Sequence, residues 1–134
     1  MQHDLNVSIK NICLIGRSIG TGVTVEFAHK YKWTNPIILI SPYKTIIQVV
    51  TNRFSCLTQF VDKYPTIDYV KKLDCGIKIF HGQDDAIIPI SHAIEISAAM
   101  KNKTFKPTFL INAGHNDILE HILLEEIGAV INCL

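Results

Sequence analysis

The stretch Leu14-Ile15-Gly16-Arg17-Ser18-Ile19-Gly20 decides how this chain is read. It is a G-x-S-x-G run, entered from the apolar segment Ile12-Cys13-Leu14-Ile15 and left through Thr21-Gly22-Val23-Thr24-Val25-Glu26-Phe27-Ala28. The first segment has the character of a buried strand and the second that of a helix. A serine between the two can be held on a tight turn with its hydroxyl exposed. That turn brings the strand and helix backbones together, so the positions two before and two after the serine are expected to lack room for a side chain. Glycine stands at both, as Gly16 and Gly20. The free N–H groups of the helix start point at the same spot, which suits a developing anion. Taken alone, the run is also compatible with a glycine-rich turn that only packs tightly or holds a phosphate.

Composition narrows the setting. The 134 residues are enough for one domain with a real core, spanning 1–134. Hydrophobic residues make up 48% of the chain, which is high for a half-exposed antiparallel protein. It fits an α/β fold, a parallel sheet covered by helices on both faces. The net charge of +1 comes with Lys and Arg spread along the chain, so no nucleic-acid partner is expected. The four cysteines, Cys13, Cys56, Cys75 and Cys133, are far apart and form no C-x-x-C pair. They read as reduced, mostly buried thiols of an intracellular, cytoplasmic protein. No histidine lies at ligand spacing from a cysteine or from another histidine, so no metal is expected. The apolar runs are too short for a transmembrane segment.

Strand and helix alternate four times along the chain. A strand over 11–15 leads to a helix over about 18–31. The strand Ile37-Ile38-Leu39-Ile40 follows Asn35-Pro36 and ends at Ser41-Pro42, before a helix over 45–52. An irregular stretch over 54–64 precedes a short helix near 67–73. A strand over 77–80 ends at His81-Gly82, and a helix over about 91–101 follows, with Ser91 as N-cap. The fourth strand covers 108–111. The last helix carries Leu119, Leu123, Ile127, Val130, Ile131 and Leu134 on one face. Repeated β-α units with apolar four-residue strands imply a parallel sheet of about four strands.

In such sheets, ligands bind outside the carboxyl ends of the strands. Two turns there carry what a serine nucleophile needs: His81-Gly82-Gln83-Asp84-Asp85 and Asn112-Ala113-Gly114-His115-Asn116-Asp117. A serine at its normal pKa is a poor nucleophile. It needs a neutral imidazole to take its proton and a carboxylate to hold that imidazole in the right tautomer. The order Ser18, Asp85, His115 is that of one established arrangement of such triads. His81 is expected to be a structural loop residue at a strand end. His92 and His121 fall on helices and are expected at the surface.

These residues resemble the α/β-hydrolase fold, and more narrowly the ABHD17-type protein depalmitoylases with the related ABHD13 and BEM46-like serine hydrolases. The matching stretches are residues 15–22, Ile40-Ser41-Pro42, Tyr64-Pro65-Thr66-Ile67-Asp68, residues 81–85 with Ser91-His92, and Gly114-His115-Asn116-Asp117. The resemblance implies Ser18 as nucleophile, Asp85 as the orienting carboxylate, His115 as general base and acid, and Asp84 as a neighbour only. It implies hydrolysis of an ester or thioester through an acyl-serine intermediate, with an acylated protein or a small acyl ester as substrate and no cofactor. The backbone N–H of Ile19 would supply one oxyanion donor, and an upstream loop the second.

Against that family the chain corresponds to the C-terminal half of a domain. Three expectations follow. The outer edge of the elbow strand is left unpaired and apolar, which favours self-association. The protein is peripheral at membranes if a longer N-terminus exists. The alternatives in function are an inactive hydrolase-derived interaction module, and a peptidase-like or general esterase activity on the same fold. The stretch over 54–64 sits where such folds place a cap, with Phe54, Leu57, Phe60 and Val61 available to line it.

Overall fold

The computed structural model describes residues 7–45 and 65–133. The elements, in chain order, are β1 (Leu14–Arg17), α1 (Ile19–Lys30), β2 (Ile37–Ile40), α2 (Thr66–Val70), β3 (Ile77–Gly82), α3 (Ser91–Ala99), β4 (Thr108–Leu110), α4 (Ile118–His121) and α5 (Leu124–Ile131). The expected helix over 45–52, the stretch over 54–64, Cys56 and Leu134 lie wholly or mainly outside the described residues.

The four strands form one sheet in the order β1-β2-β3-β4, and every pair is parallel. Register runs Leu14↔Ile37↔Ile77 and Arg17↔Ile40↔Phe80, with Phe80 opposite Thr108. The apolar runs are buried on both sides. Ile37, Leu39, Ile77 and Ile79 pack with Val25 and Ala28 of α1, Val70 of α2, and Ala93 and Ile96 of α3. Ile38, Ile40 and Phe80 pack on the opposite face with Ile118 of α4, Val130 of α5 and Ile122 between them. Helices therefore cover both faces, as expected of an α/β sheet. Each fully buried isoleucine contributes about 1.5–3 kcal/mol against leaving it in water. His29 stacks on Tyr69 with centroids 5.0 Å apart, which joins α1 to α2.

One cation interrupts the apolar run of β3. The Lys78 ammonium is buried beneath α5, where it donates to the Lys106 carbonyl (3.1 Å), Thr108 Oγ1 (2.7 Å) and Glu126 Oε1 (3.1 Å). Its donors are satisfied, which makes the burial tolerable. The Thr108 hydroxyl, and next Lys78, hold the Glu126 carboxyl below its usual range.

Several boundaries differ from the sequence reading. Residues 9–11 form a 3-10 turn, so Asn11 does not start β1; Asn35 Nδ2 donates to the carbonyls of Ile9 and Ile12 around that turn. The strand instead runs on through Arg17. β3 extends to Gly82, so His81 lies inside a strand. Ser91 is not an N-cap: Ile90 holds that position in helical geometry and no side chain caps the helix. α2 and α3 end earlier than expected, at Val70 and Ala99, and β4 ends at Leu110. The last helix is two helices. Ile122 and Leu123 are extended, with ψ 122° and 129°, which resets the helical phase. Leu119, Leu123 and Ile131 therefore face solvent, while Ile118, Ile122 and Val130 point inward. Of the cysteines, Cys75 is buried, Cys13 half-buried and Cys133 exposed, so the expectation of mostly buried thiols fails at Cys133. Burial pushes the Cys75 thiol up to about 11.

Among the described residues β1 is the edge strand of the sheet, and its outer side is apolar. Ile15 (53% exposed) and Ile19 (65%) continue into Val23 and Phe27 along α1. No helix among the described residues is long and apolar enough to cross a membrane.

The crossing of β1 and α1 gives a sharp contrast between the two elbow glycines. A Cβ on Gly16 would collide with Thr24 Oγ1, and would lie 2.7 Å from the Gly20 carbonyl oxygen and 2.9 Å from Thr21 Cα. A Cβ on Gly20 would meet nothing within 4 Å, which corrects the expectation that both sites lack room. Gly16→Ala is predicted to destabilise the fold by about 1–3 kcal/mol through overpacking. Gly20→Ala is predicted to be neutral or to stabilise by up to about 1 kcal/mol, because alanine favours helix over glycine. Urea unfolding of both variants checks this, and equal losses would contradict it.

Candidate active site

Ser18 stands between β1 and α1 with φ 50° and ψ −122°. A non-glycine residue there carries strain of about 1–3 kcal/mol. The turn is held from both sides. The Ser18 N–H continues the sheet ladder to the Ile40 carbonyl (2.9 Å), and the Ser18 carbonyl accepts from the Thr21 N–H (3.0 Å) and the Thr21 hydroxyl (2.7 Å). The side chain is thereby lifted off the strand end towards the loops after β3 and β4. Ile19 is the first residue of α1, so its N–H belongs to the first turn, which an α-helix leaves without internal acceptors.

Asp85 comes from the turn after β3 and its side chain is wholly buried. Its Oδ1 accepts the N–H groups of Ile87 (2.9 Å) and Ile88 (2.8 Å). Its Oδ2 lies 2.8 Å from His115 Nδ1. A carboxylate oxygen only accepts, so Nδ1 carries the proton and Nε2 presents its lone pair. Nε2 lies 3.0 Å from Ser18 Oγ. The chain of contacts from serine to imidazole to carboxylate is continuous over three strand ends. Asp84, by contrast, is exposed and takes no part in it.

The loop over 112–117 presents His115 from the end of β4. It opens at Asn112 with φ 57°, a conformation asparagine tolerates. The Asp84 N–H donates to the Ala113 carbonyl (3.1 Å), and Asp117 Oδ1 accepts the Gly114 N–H (2.9 Å). The close approach of the two loops needs Gly82, where a Cβ would collide with the Ala113 carbonyl oxygen.

His81 is fully buried, as a structural residue should be. Its Nε2 donates to the Ile88 carbonyl (2.8 Å), whose own N–H donates to Asp85, so His81 holds the Asp85 turn from below. Burial lowers its pKa and the neighbouring Ile88 carbonyl only partly opposes this, so the ring is neutral and its 3.7 Å approach to Asp85 is no ion pair. His92 departs from expectation. It is buried, not at the surface, and its Nδ1 accepts the Lys44 N–H (3.1 Å). Burial, and next the Lys44 ammonium, push its pKa down. His121 does sit at the surface side of α4, 3.3 Å from Asp117 Oδ2. Arg17 is a residue the sequence reading passed over: its guanidinium donates to the carbonyls of His115 (2.8 Å) and Asn116 (3.3 Å). Nothing local in the sequence signals a bond to residues about a hundred positions away.

A parallel sheet with a serine on a strained strand-to-helix turn, and loops from the next strand ends converging on it, is the arrangement of the α/β-hydrolases. The fold is that of the α/β-hydrolases, and over part of their length the chain is similar to proteins named as such. It is 42% identical over 130 residues to a protein of Acanthamoeba polyphaga mimivirus described as an alpha/beta hydrolase, L404, covering 97% of this chain and 49% of that protein. It is 34% identical over 115 residues to the human alpha/beta hydrolase domain-containing protein 17C, covering 84% of this chain and 33% of that protein. The chain thus spans about half or less of the length of these relatives. Among solved structures, the esterase domain of a Rhodothermus marinus protein superposes with TM-score 0.69 at 18% identity, covering 87% of this chain and 57% of that one. No protein-family model matches the chain.

The two buried neutral histidines set a pH dependence. Their folded-state pKa values lie below the ordinary imidazole value, so the unfolded chain binds more protons on the acid side. Stability is predicted to be full above about pH 6.5 and to fall as pH drops below it. His92→Asn keeps an acceptor for the Lys44 N–H but cannot titrate, so it should flatten part of this slope. Urea midpoints measured from about pH 8 down to about pH 5 test it. A slope unchanged in the variant would contradict the assignment to His92.

Proposed function

We propose that the chain carries the catalytic machinery of a serine hydrolase that cleaves acyl esters or thioesters through an acyl-serine intermediate. The observation that carries this reading is the unbroken contact chain Ser18 Oγ–His115 Nε2 (3.0 Å) and His115 Nδ1–Asp85 Oδ2 (2.8 Å). In the first half-reaction, Ser18 Oγ attacks the acyl carbon while His115 Nε2 takes its proton. The oxyanion that forms is received by the Ile19 N–H, a donor of the kind worth about 3–4 kcal/mol. Collapse breaks the bond to the leaving oxygen or sulfur, which takes the proton from His115. A water then attacks the acyl-serine, His115 accepts its proton and returns one to Ser18, and the carboxylic acid leaves. Asp85 keeps the imidazole in the required tautomer and stabilises its protonated form.

The finer reading is a thioester substrate such as an S-acylated protein, which rests on the family resemblance of the elbow and the Gly114-His115-Asn116-Asp117 turn. The three cysteines among the described residues are free of disulfides, in keeping with a reducing, cytoplasmic setting. The apolar outer side of β1 and α1 is the surface proposed for self-association. Sedimentation of the chain as a dimer or larger supports that surface, and a monomer at the highest soluble concentration contradicts it.

A serine-directed fluorophosphonate probe is predicted to label Ser18 in the native chain and to leave Ser18→Ala unlabelled. Asp85→Asn should lower kcat on an activated ester by about 10³–10⁴-fold through the wrong imidazole tautomer. Equal labelling of Ser18→Ala would sink the reading. In a panel of acyl-cysteine thioesters, simple esters and aminoacyl amides, the first two should be turned over faster. Preference for the amides would instead favour a peptidase.

A further inference from the structure

We propose that Arg17 is a positioning residue that ties the loop carrying His115 to the elbow carrying Ser18 and so sets the separation of the reacting pair. This rests on the hydrolase reading above. Arg17 is the last residue of β1 and is fixed by its register opposite Ile40. Its Nη2 donates to two successive carbonyls, those of His115 (2.8 Å) and Asn116 (3.3 Å). Asp85 holds the His115 ring, but the other bonds to that loop's backbone stop short of the histidine: Asp84 reaches Ala113, and Asp117 reaches Gly114.

Among the described residues, the hydrogen bonds between residues 16–20 and 112–117 are the two from Arg17 and the Ser18–His115 bond itself. That last bond breaks and re-forms in every turnover, so it cannot hold its own partners in place. Arg17 provides a second connection, from a sheet strand to the backbone of the general base, that persists while the proton moves. The buried Nε of Arg17 has no partner among the described residues. Among the described residues, the guanidinium donates to the loop through Nη2 alone. Lysine at this position keeps the charge but gives a single ammonium in place of the guanidinium, and glutamine is both shorter and neutral.

The test uses the full 134-residue chain. For Arg17→Gln, kcat on an activated ester and the rate of Ser18 labelling should both fall about 100-fold, the scale of a 1 Å misplacement, with KM within about two-fold. Added guanidinium should restore part of kcat to Arg17→Ala, and Arg17→Lys should fall between. A second readout needs no turnover: the downfield proton resonance of His115 Nδ1–H should be present in the native chain and broadened away in Arg17→Gln. A kcat within about two-fold of the native value, or a loss confined to KM, would overturn the proposal. If Arg17→Gln does not fold, the intermediate kcat of Arg17→Lys at unchanged KM decides, and a native kcat in that variant counts against the proposal. If native Ser18 is not labelled at all, the hydrolase reading fails, and the Nδ1 proton resonance then judges the positioning claim by itself.

Discussion

Residue 18 has to satisfy two structures at once. Its N–H still belongs to the sheet, bonded to Ile40, while its carbonyl already belongs to the first turn of α1, bonded to Thr21. A φ of 50° is what reconciles them. The reversal is possible only because α1 lies down on β1 at Gly16, where a methyl group would strike Thr24 and the Gly20 carbonyl. The rest of the site follows from that crossing. It directs the serine hydroxyl past the strand ends and leaves the Ile19 N–H at the helix start, beside the place where an oxyanion would form.

The other half of the site is organised by a single buried carboxylate. Asp85 has two backbone N–H groups on one oxygen and His115 on the other, so its geometry is determined before any substrate arrives. His81 supports the same turn through the Ile88 carbonyl, and burial keeps it neutral, so it adds no competing charge beside Asp85. Gly82 lets the β3 and β4 loops touch. Arg17 reaches the β4 loop from the elbow side. The three strand ends are thus linked into one frame, which is what a reaction limited by sub-ångström positioning requires.

Much of this was legible in the chain. The apolar quartet at 37–40 and the run at 77–80, broken only by Lys78, read as buried strands, and the glycine and polar turns after them marked the carboxyl ends where functional side chains collect. Ser18, Asp85 and His115 stand out because a serine nucleophile needs those residue types at strand ends, and the fold brings the three within hydrogen-bond distance after β1, β3 and β4. What escaped the sequence were effects carried by distant residues. Asn35, more than twenty positions on, bonds the carbonyls of Ile9 and Ile12 around the 3-10 turn. His92 is buried with its Nδ1 accepting the Lys44 N–H, from 48 positions earlier. The break at Ile122 and Leu123 has no proline or glycine to announce it, so helical spacing continued through it on paper and put Leu119 and Leu123 on the wrong side. The tight turn calls for glycine at both Gly16 and Gly20, yet the helix turns the free side of Gly20 to open space.

The central claim is that Ser18 becomes acylated, with His115 and Asp85 as its activating pair. The most direct measurement is mass analysis of the chain quenched during turnover of a slowly deacylating ester. The account predicts one acyl group on the peptide containing Ser18, present in the native chain, lost in Ser18→Ala and strongly reduced in His115→Ala. Ester cleavage at the native rate by Ser18→Ala, or acylation on a different side chain, would contradict it.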